Sequence, residues 1–236
     1  HIILGKWSQD KLDSILHESA KIKDAGARIN FLSGFFLDVN YKESTLIGDI
    51  NTPEIFVINL QAVDCFTFID YIEAMRLSSF FSEFKGNLKK VRYRNGEVTF
   101  ENRNHFFTDW QKFNSEFIDD LTAQIGGKKT KTIAKILNKK EDGTHFLNGI
   151  LPQQREIQYI PSDAIDGSLM DKIKTGDYAG IYSEIQGLDV SHVGIIIKDR
   201  YLIYLRHASS RYKKVIDEDF RNYISNKPGL IVLRPK

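Results

Sequence analysis

A single cysteine at the start of a helix-like stretch is the first residue in this sequence that could do chemistry. Cys65 is the only cysteine, and it directly follows Asp64, a residue type that often caps the N-terminus of a helix. A thiol in the first turn lies at the positive end of the helix dipole, which favours the thiolate and lowers the pKa. We therefore predict a helix over residues 64–76 that begins at a cysteine nucleophile. A buried structural cysteine is the alternative, because free cysteine is among the most buried residue types.

Two histidines lie at matching ends of two predicted strands. His192 opens the β-branched run HVGIIIK, and His207 follows the next strand, over residues 201–205, after a tight connection. In an antiparallel hairpin the start of one strand lies beside the end of its partner, so we expect the histidines to be neighbours. A thiolate nucleophile needs an imidazole base, and a third group must fix the tautomer of that base. We predict Cys65 as nucleophile, His192 as base and then acid, and His207 as the residue that orients His192.

Other chemistries find less support in the motifs. The chain has no HExxH motif and no cysteine pair, so a zinc site would need scattered ligands. It has neither GxxxxGK[ST] nor GxGxxG, the glycine-rich loops that bind phosphates, and no GxSxG elbow for a serine nucleophile.

Length and composition narrow the class of protein. A chain of 236 residues, 42% hydrophobic and 27% charged, can bury a full core without disulfides or metals. Its net charge of +2 gives no reason to expect a nucleic-acid partner. No apolar run approaches the ~18 to 20 residues that a membrane span needs. The first residue is His1 rather than methionine, so we interpret the chain as a processed or trimmed form that a signal peptide or lipid anchor could have preceded.

Apolar spacing, caps and turn residues predict the elements that must position these side chains. Helices are predicted over residues 7–24 with Ser8 as cap, in a turn after residue 25, and over 110–121, 162–174 and 217–225. Strands or extended runs are predicted over residues 54–60, 178–182, 192–198, 201–205 and 229–233. The basic run 128–140 is interpreted as a solvated face.

Residues 88–101 carry the clearest local pattern. Apolar residues alternate with charged ones on both sides of Asn95-Gly96, which predicts a β-hairpin with a type I′ turn. The segment 102–110 that follows is rich in polar and aromatic side chains, and we interpret it as a structured loop that includes Arg103 and His105.

Five motifs, in order, resemble the NlpC-type, papain-like cell-wall cysteine hydrolases and, more narrowly, their N-acetylmuramoyl-L-alanine amidase branch. They are VDCFTFIDYIEA, RYRNG, RNHFFTDW, GLDVSHVGI and RHASS, and the resemblance runs from about residue 31 to 234. The departures are small: Asp70 stands where the branch usually has Glu, and LDVNY, which ends at Tyr41, stands where it more often has LGxPY.

The resemblance implies an α+β fold with a papain-like core, in which the cysteine helix packs on a central antiparallel sheet. It implies one catalytic domain over residues 1–236, with insertions and with histidine-bearing strands within residues 191–207. The substrate-binding residues that it implies are Tyr41, Asp64, Arg103, His105 and Ser191, and Asp64 is also the helix cap.

The reaction implied by the resemblance is amide hydrolysis through a thioester acyl-enzyme. The substrate would be a muropeptide or other peptidoglycan fragment, in its 1,6-anhydro form for instance, cut between N-acetylmuramic acid and L-alanine. No metal or organic cofactor is expected, and the protein would be a monomer, periplasmic or exported. The spacing of the triad selects no particular amide, so selection must come from the cleft walls, where Phe106 or Trp110 would stack on the sugar. Two alternatives stay open: a D,L-endopeptidase that cuts D-Glu–diamino acid bonds, and a catalytically silent muropeptide-binding protein, against which the intact triad argues.

Overall fold

The chain folds as a mixed α+β protein around one large sheet, in a computed structural model that describes all 236 residues. The helices are Gln9–Ala20 (α1), Ala25–Gly34 (α2), Cys65–Arg76 (α3), Phe81–Arg92 (α4), Phe107–Phe113 (α5), Thr122–Gly126 (α6), Gly167–Lys172 (α7) and Phe220–Ser225 (α8). None of them is both long enough and apolar enough to cross a bilayer.

Twelve strands complete the fold. They are Ile2–Ile3 (β1), Asn40–Tyr41 (β2), Ile58–Asn59 (β3), Ala62–Val63 (β4), Ile118–Asp120 (β5), Lys131–Leu137 (β6), Gln153–Pro161 (β7), Tyr178–Tyr182 (β8), Val190–Asp199 (β9), Leu202–Ser209 (β10), Lys214–Asp219 (β11) and Gly229–Pro235 (β12).

The large sheet is mixed, with an antiparallel centre. Its order is β4-β2-β11-β10-β9-β8-β12-β7-β6, with β5 added beside β12, while β1 and β3 form a separate parallel pair. Within the large sheet only β2 and β4 run parallel. The predicted antiparallel centre is therefore confirmed for the strands that carry the histidines, whereas the sheet as a whole is mixed.

Side-chain alternation along the strands builds a core on each face of the sheet. In β9, Val193, Ile195 and Ile197 enter the larger core, which also holds side chains of α1 to α4. Ile196 enters the smaller core, with side chains of α7 and α8. Burying each such side chain contributes roughly 1.5–3 kcal/mol, so the pattern fixes which face each helix covers.

Helix α3 is the central helix of the larger core. Every residue from Thr67 to Arg76 is buried, including the charged ones. Asp70 pairs with Arg92 at 2.8 Å, and Glu73 accepts from Arg76 at 2.6 Å and from the Tyr178 hydroxyl at 2.8 Å. Breaking a buried pair from one side costs about 3–5 kcal/mol, so these contacts hold α3 firmly in place.

Most predicted elements near the histidines and at the N-terminus are confirmed. Helix α1 is shorter than residues 7–24 but is capped by Ser8, whose Oγ accepts from the Lys11 amide at 3.1 Å. The predicted strands match β8, β9, β10 and β12, and the predicted turn after residue 25 is a full helix, α2.

The predicted hairpin over residues 88–101 is wrong. Residues up to Arg92 belong to α4, where Phe84, Leu88 and Val91 are buried at helical spacing. Asn95 and Gly96 do have positive φ angles of 55° and 71°, as a type I′ turn requires, but they lie in a 3₁₀ turn. The Asn95-Gly96 pair thus adopts the predicted turn conformation, but the apolar residues before it follow a helical period rather than a strand alternation.

Two further predictions, both of helices, were wrong in their bounds. The helix over 110–121 ends at Phe113, because the Asn114 side-chain amide donates to the carbonyls of Val91 and Trp110, and β5 follows. The helix over 217–225 begins only at Phe220, because its first residues belong to β11. The basic run 128–140, predicted as a solvated face, is mostly exposed, and part of it forms β6, which pairs along its length with β7.

Candidate active site

A capping box fixes the start of α3, as the sequence predicted. Oδ1 of Asp64 accepts from the backbone N–H groups of Phe66 at 3.1 Å and Thr67 at 2.7 Å. The Asp64 N–H in turn donates to Oγ1 of Thr67 at 3.0 Å. An N-cap of this kind stabilises a helix by about 0.5–2 kcal/mol, so Cys65 is held as the first residue of α3.

The structure brings the two histidines together and adds a carboxylate behind them. Nε2 of His192 lies 2.7 Å from Nδ1 of His207, and Nε2 of His207 lies 3.1 Å from Oε2 of Glu218. Because a carboxylate only accepts, Nε2 of His207 carries the proton and its Nδ1 accepts. Nε2 of His192 must then be the donor in the next bond. The lone pair of His192 is thus left on Nδ1, ready to accept a proton.

Glu218 was missed by the sequence analysis because β11 was missed. Leu205 of β10 lies opposite Glu218 of β11, so the two side chains share a face of the sheet. His207 is two residues beyond Leu205 and therefore lies on that same face, as the diagonal neighbour of Glu218. The acidic run at residues 217–219, directly after the β-branched pair Val215-Ile216, was the signal that could have revealed it.

The electrostatics of the resting site differ from the predicted ones. Burial raises the pKa of the Cys65 thiol to about 12, helped by the charge of Asp64 and opposed by the backbone N–H groups of Val193, Cys65 and Phe66. Burial also lowers the pKa of His192 to about 3, assisted by His207 and Lys227. The direction of the shift at Cys65 is opposite to the predicted low thiol pKa, because desolvation outweighs the helix N-terminus. With these pKa values the thiol of Cys65 and the imidazole of His192, which line the same pocket, are both neutral at pH 7.

Three neighbouring cavities share lining residues, and Cys65 lies in the central one. A central pocket of about 220 Å³ is lined by Cys65, His105, Phe106, Leu188, Ser191 and His192. A histidine-side cavity of about 560 Å³ shares Ser191 and His192 with it and continues along His207, Arg211, Tyr223 and Lys227. A cap-side cavity of about 790 Å³ shares Phe146 and Leu147 with the central pocket and is also lined by Asp49, Asp64, Phe100 and Arg103.

His105 and Ser191 lie in the central pocket, as expected for residues that face a substrate. Nε2 of His105 donates to the carbonyl of Phe100 at 2.7 Å, and burial lowers the pKa of His105 to about 4. His105 is therefore a neutral side chain at pH 7. Ser191 is exposed at the junction between the central pocket and the histidine-side cavity.

Arg103, Asp64 and Tyr41 lie on the other side of Cys65. Arg103 lines the cap-side cavity, but its guanidinium is already paired with Glu54 and donates to the carbonyl of Gly48 at 3.1 Å. Tyr41 is beside Val63 in the β2–β4 pair, and its hydroxyl donates to Glu43 at 3.2 Å. Tyr41 lines none of the three cavities, but it lies near the start of α3: burial and its hydrogen bond to Glu43 raise the pKa of its hydroxyl, and the charges of Cys65 and Asp64 add to this.

Trp110 cannot stack on a sugar as the sequence suggested. It is fully buried, its Nε1 donates to Asp70 at 3.0 Å, and its ring meets Tyr178 edge-on at 5.2 Å. The shorter carboxylate at position 70 thus still reaches both Trp110 and Arg92. Phe106, by contrast, does line the central pocket.

The chain is similar in sequence to a known protein family. Residues 31–230 match the AmiA-like family, described as N-acetylmuramoyl-L-alanine amidase-like. No curated protein matches the chain.

Several solved structures share the fold. A Legionella pneumophila protein of the DUF1460 family superposes with a TM-score of 0.82 at 21% identity, over 96% of this chain and 94% of that one. Two structures of an N-acetylmuramoyl-L-alanine amidase from Bacteroides uniformis give TM-scores of 0.75 and 0.74 at 28% and 26% identity. Each covers 90% of this chain and 99% of its own.

Proposed function

Because the chain belongs to the AmiA-like, N-acetylmuramoyl-L-alanine amidase-like family, we propose that it is a cysteine amidase acting on cell-wall fragments. The observation that carries this proposal is the hydrogen-bonded chain from His192 through His207 to Glu218, which opens onto the pocket that contains Cys65. A nucleophile, a base with a free lone pair and a group that fixes its tautomer are what amide hydrolysis by a thiol requires. We further propose that α3 and the histidine strands form a papain-like core within one catalytic domain.

The first half of the reaction forms a thioester. Nδ1 of His192 takes the thiol proton as Sγ of Cys65 attacks the amide carbon, so the ion pair forms only as the new bond forms. The backbone N–H of Cys65, in the first turn of α3 where amides lack helical partners, donates to the developing oxyanion. His192 then returns the proton to the amine, the carbon–nitrogen bond breaks, and the acyl group stays on sulfur.

The second half releases the acid. His192, again neutral, removes a proton from water, and the resulting nucleophile attacks the thioester carbonyl. The intermediate collapses with loss of the thiolate, which regains its proton from His192. Glu218 stabilises the positive charge that the histidine pair carries in both halves, acting as a positioning residue through His207.

The substrate that we propose is a muropeptide cut between the lactyl group of N-acetylmuramic acid and L-alanine, with 1,6-anhydro fragments included. The cap-side cavity suits the sugar, because it is the largest of the three and combines the rings of Phe100 and Phe146 with polar groups. We propose that the protein works as a monomer, without a metal or organic cofactor, in the periplasm or outside the cell.

Mass spectrometry of products from defined muropeptides tests this function. N-acetylmuramoyl-L-Ala-D-Glu-diamino acid should release an intact peptide whose free amine belongs to L-alanine, and the sugarless peptide should stay uncut, because remote binding energy would be missing from the transition state. Cys65→Ala should release nothing from either compound. Recovery of L-Ala-D-Glu would instead identify a D,L-endopeptidase, and no product from any fragment would favour a silent binding protein.

A further inference from the structure

We propose that the histidine-side cavity binds the carboxylates of the peptide that leaves, with Arg211 and Lys227 as the cations that recognise them. This inference rests on the proposed amidase function and extends it to the acidic leaving group.

The position of the general acid decides which product lies in this cavity. His192 must hand its proton to the amine nitrogen as the amide bond breaks, so the leaving amine lies against the His192 ring. The acyl carbon is bonded to Cys65 at that moment, and its oxygen faces the start of α3. The leaving chain therefore extends beyond His192 into the histidine-side cavity, while the acyl part extends past Asp64 into the cap-side cavity.

Charge distinguishes the two ends of the cleft. Arg211 and Lys227 line the histidine-side cavity, and neither makes an ion pair within the protein. The one carboxylate in that lining, Glu218, already accepts a hydrogen bond from His207. In the cap-side cavity the only cation is Arg103, which is paired with Glu54.

The acidic residues of the cap-side cavity strengthen the contrast. Asp49 and Asp64 line it, so an anionic ligand would meet repulsion there and attraction at the other end. A muropeptide is asymmetric in the same sense, because its sugar is uncharged while its D-Glu and diamino acid residues carry free carboxylates.

The remaining lining of the histidine-side cavity suits an extended polar peptide. Only one of its eleven lining residues is hydrophobic, and the others include Asn222, Asn226 and Ser209. Lys227 has its Nζ 4.9 Å above the Tyr223 ring, whose edge-on contact with His207 at 5.4 Å places this cation beside the catalytic histidines. A carboxylate bound by Lys227 would therefore lie within a few residues of the scissile amide.

A ratio of two substrates tests the proposal. The free-acid fragment N-acetylmuramoyl-L-Ala-D-Glu-diamino acid is compared with the same fragment whose carboxylates are amidated. The wild-type protein should prefer the free acid in kcat/KM by roughly three- to tenfold, as expected for partly exposed charge-assisted contacts. In the Arg211→Gln, Lys227→Met double variant this ratio should fall towards one. The ratio cancels any effect that the substitutions have on both substrates alike.

Arg221→Gln is the matched control, because Arg221 is an exposed, unpaired cation on α8, the helix that supplies Asn222 and Tyr223 to the cavity, and does not itself line the cavity. It should keep the wild-type ratio. A double variant that also keeps the wild-type ratio would overturn the proposal.

A binding measurement separates failure of this subsite from failure of the amidase function. Calorimetry with the Cys65→Ala protein and the product peptide L-Ala-D-Glu-diamino acid needs no turnover. We expect binding that weakens by a similar factor when Arg211→Gln and Lys227→Met are added. Unchanged binding would refute the carboxylate subsite even if the amide is cut as proposed, whereas absence of cleavage with the expected loss of binding would refute only the amidase function.

Discussion

Replacing Glu218 by Gln removes the charge at the end of the histidine chain while keeping the size of the side chain. A carboxylate can only accept from His207, and this constraint sets the tautomers of both rings. An amide can donate as well as accept. When it donates to Nε2 of His207, the proton moves to Nδ1 of His207, and His192 must then carry its own proton on Nδ1, where it cannot receive one from Cys65.

The size of the effect follows from the bond that is lost. A hydrogen bond to a charged group contributes about 1.5–3 kcal/mol, and each ~1.4 kcal/mol changes a rate tenfold. The Glu218 side chain is 29% exposed, so water screens part of its charge. We therefore expect Glu218→Gln to lower kcat roughly ten- to fiftyfold, with little change in KM.

The pH dependence of kcat/KM provides a second measurement of the effect of Glu218→Gln. Burial lowers the pKa of His207, while Glu218 opposes this by favouring the charged ring. Loss of the carboxylate should lower this pKa further. A His207 ring protonated on both nitrogens would donate from Nδ1 to Nε2 of His192, so His192 would carry its own proton on Nδ1 and could not act as the base. The acid limb of the kcat/KM profile should therefore move to lower pH. Glu218→Asp, which keeps the charge, should recover part of the rate and move the limb back.

Steady-state kinetics on a defined muropeptide would provide both measurements, with Glu116→Gln as a control for an exposed carboxylate that has no ion pair. An unchanged kcat and an unchanged acid limb in Glu218→Gln would refute the reasoning. A loss of kcat without the shift of the limb would mean that Glu218 serves only the packing of β11.

Three further predictions concern the thiol and its neighbours. Alkylation of the native protein by iodoacetamide should keep accelerating above the free-thiol value of ~8.5, because burial raises the pKa of Cys65; an inflection below that value would show that the ion pair exists before substrate binds. His192→Ala should abolish nearly all turnover, and His207→Ala should lower it by on the order of a hundredfold, whereas a largely active His192→Ala protein would mean that another group is the base. EDTA should leave amidase activity intact while a thiol alkylator removes it, and the opposite result would identify a metal enzyme.

The parts of the site that were predictable from the sequence are those fixed by local pattern. Asp64 and Thr67 lie three residues apart, so the cap and the position of Cys65 follow from short-range hydrogen bonds. The β-branched run after His192 and the tight turn that follows it likewise predict the hairpin, and the hairpin alone brings His207 close.

The parts that were missed depend on contacts between distant residues. Glu218 becomes part of the site only through its register with β10, and Trp110 is hidden only because Asp70 and Tyr178 lie around it. The raised pKa of the Cys65 thiol was not predictable for the same reason. A helix start is visible in the sequence, but Cys65 is half-buried where α3 packs against β9, a strand more than 120 residues further along the chain.

The raised pKa of Cys65 also bears on how readily its thiol is oxidised. Peroxides attack the thiolate rather than the thiol, and a half-buried thiol with a raised pKa presents little of that form. This matters because the chain has no second cysteine, so a sulfenic acid at Cys65 would have no partner within the protein to form a disulfide that a reductant could reverse. In the proposed mechanism the proton stays on sulfur until an amide is in place, so protection of the thiol from oxidants would be coupled to substrate binding.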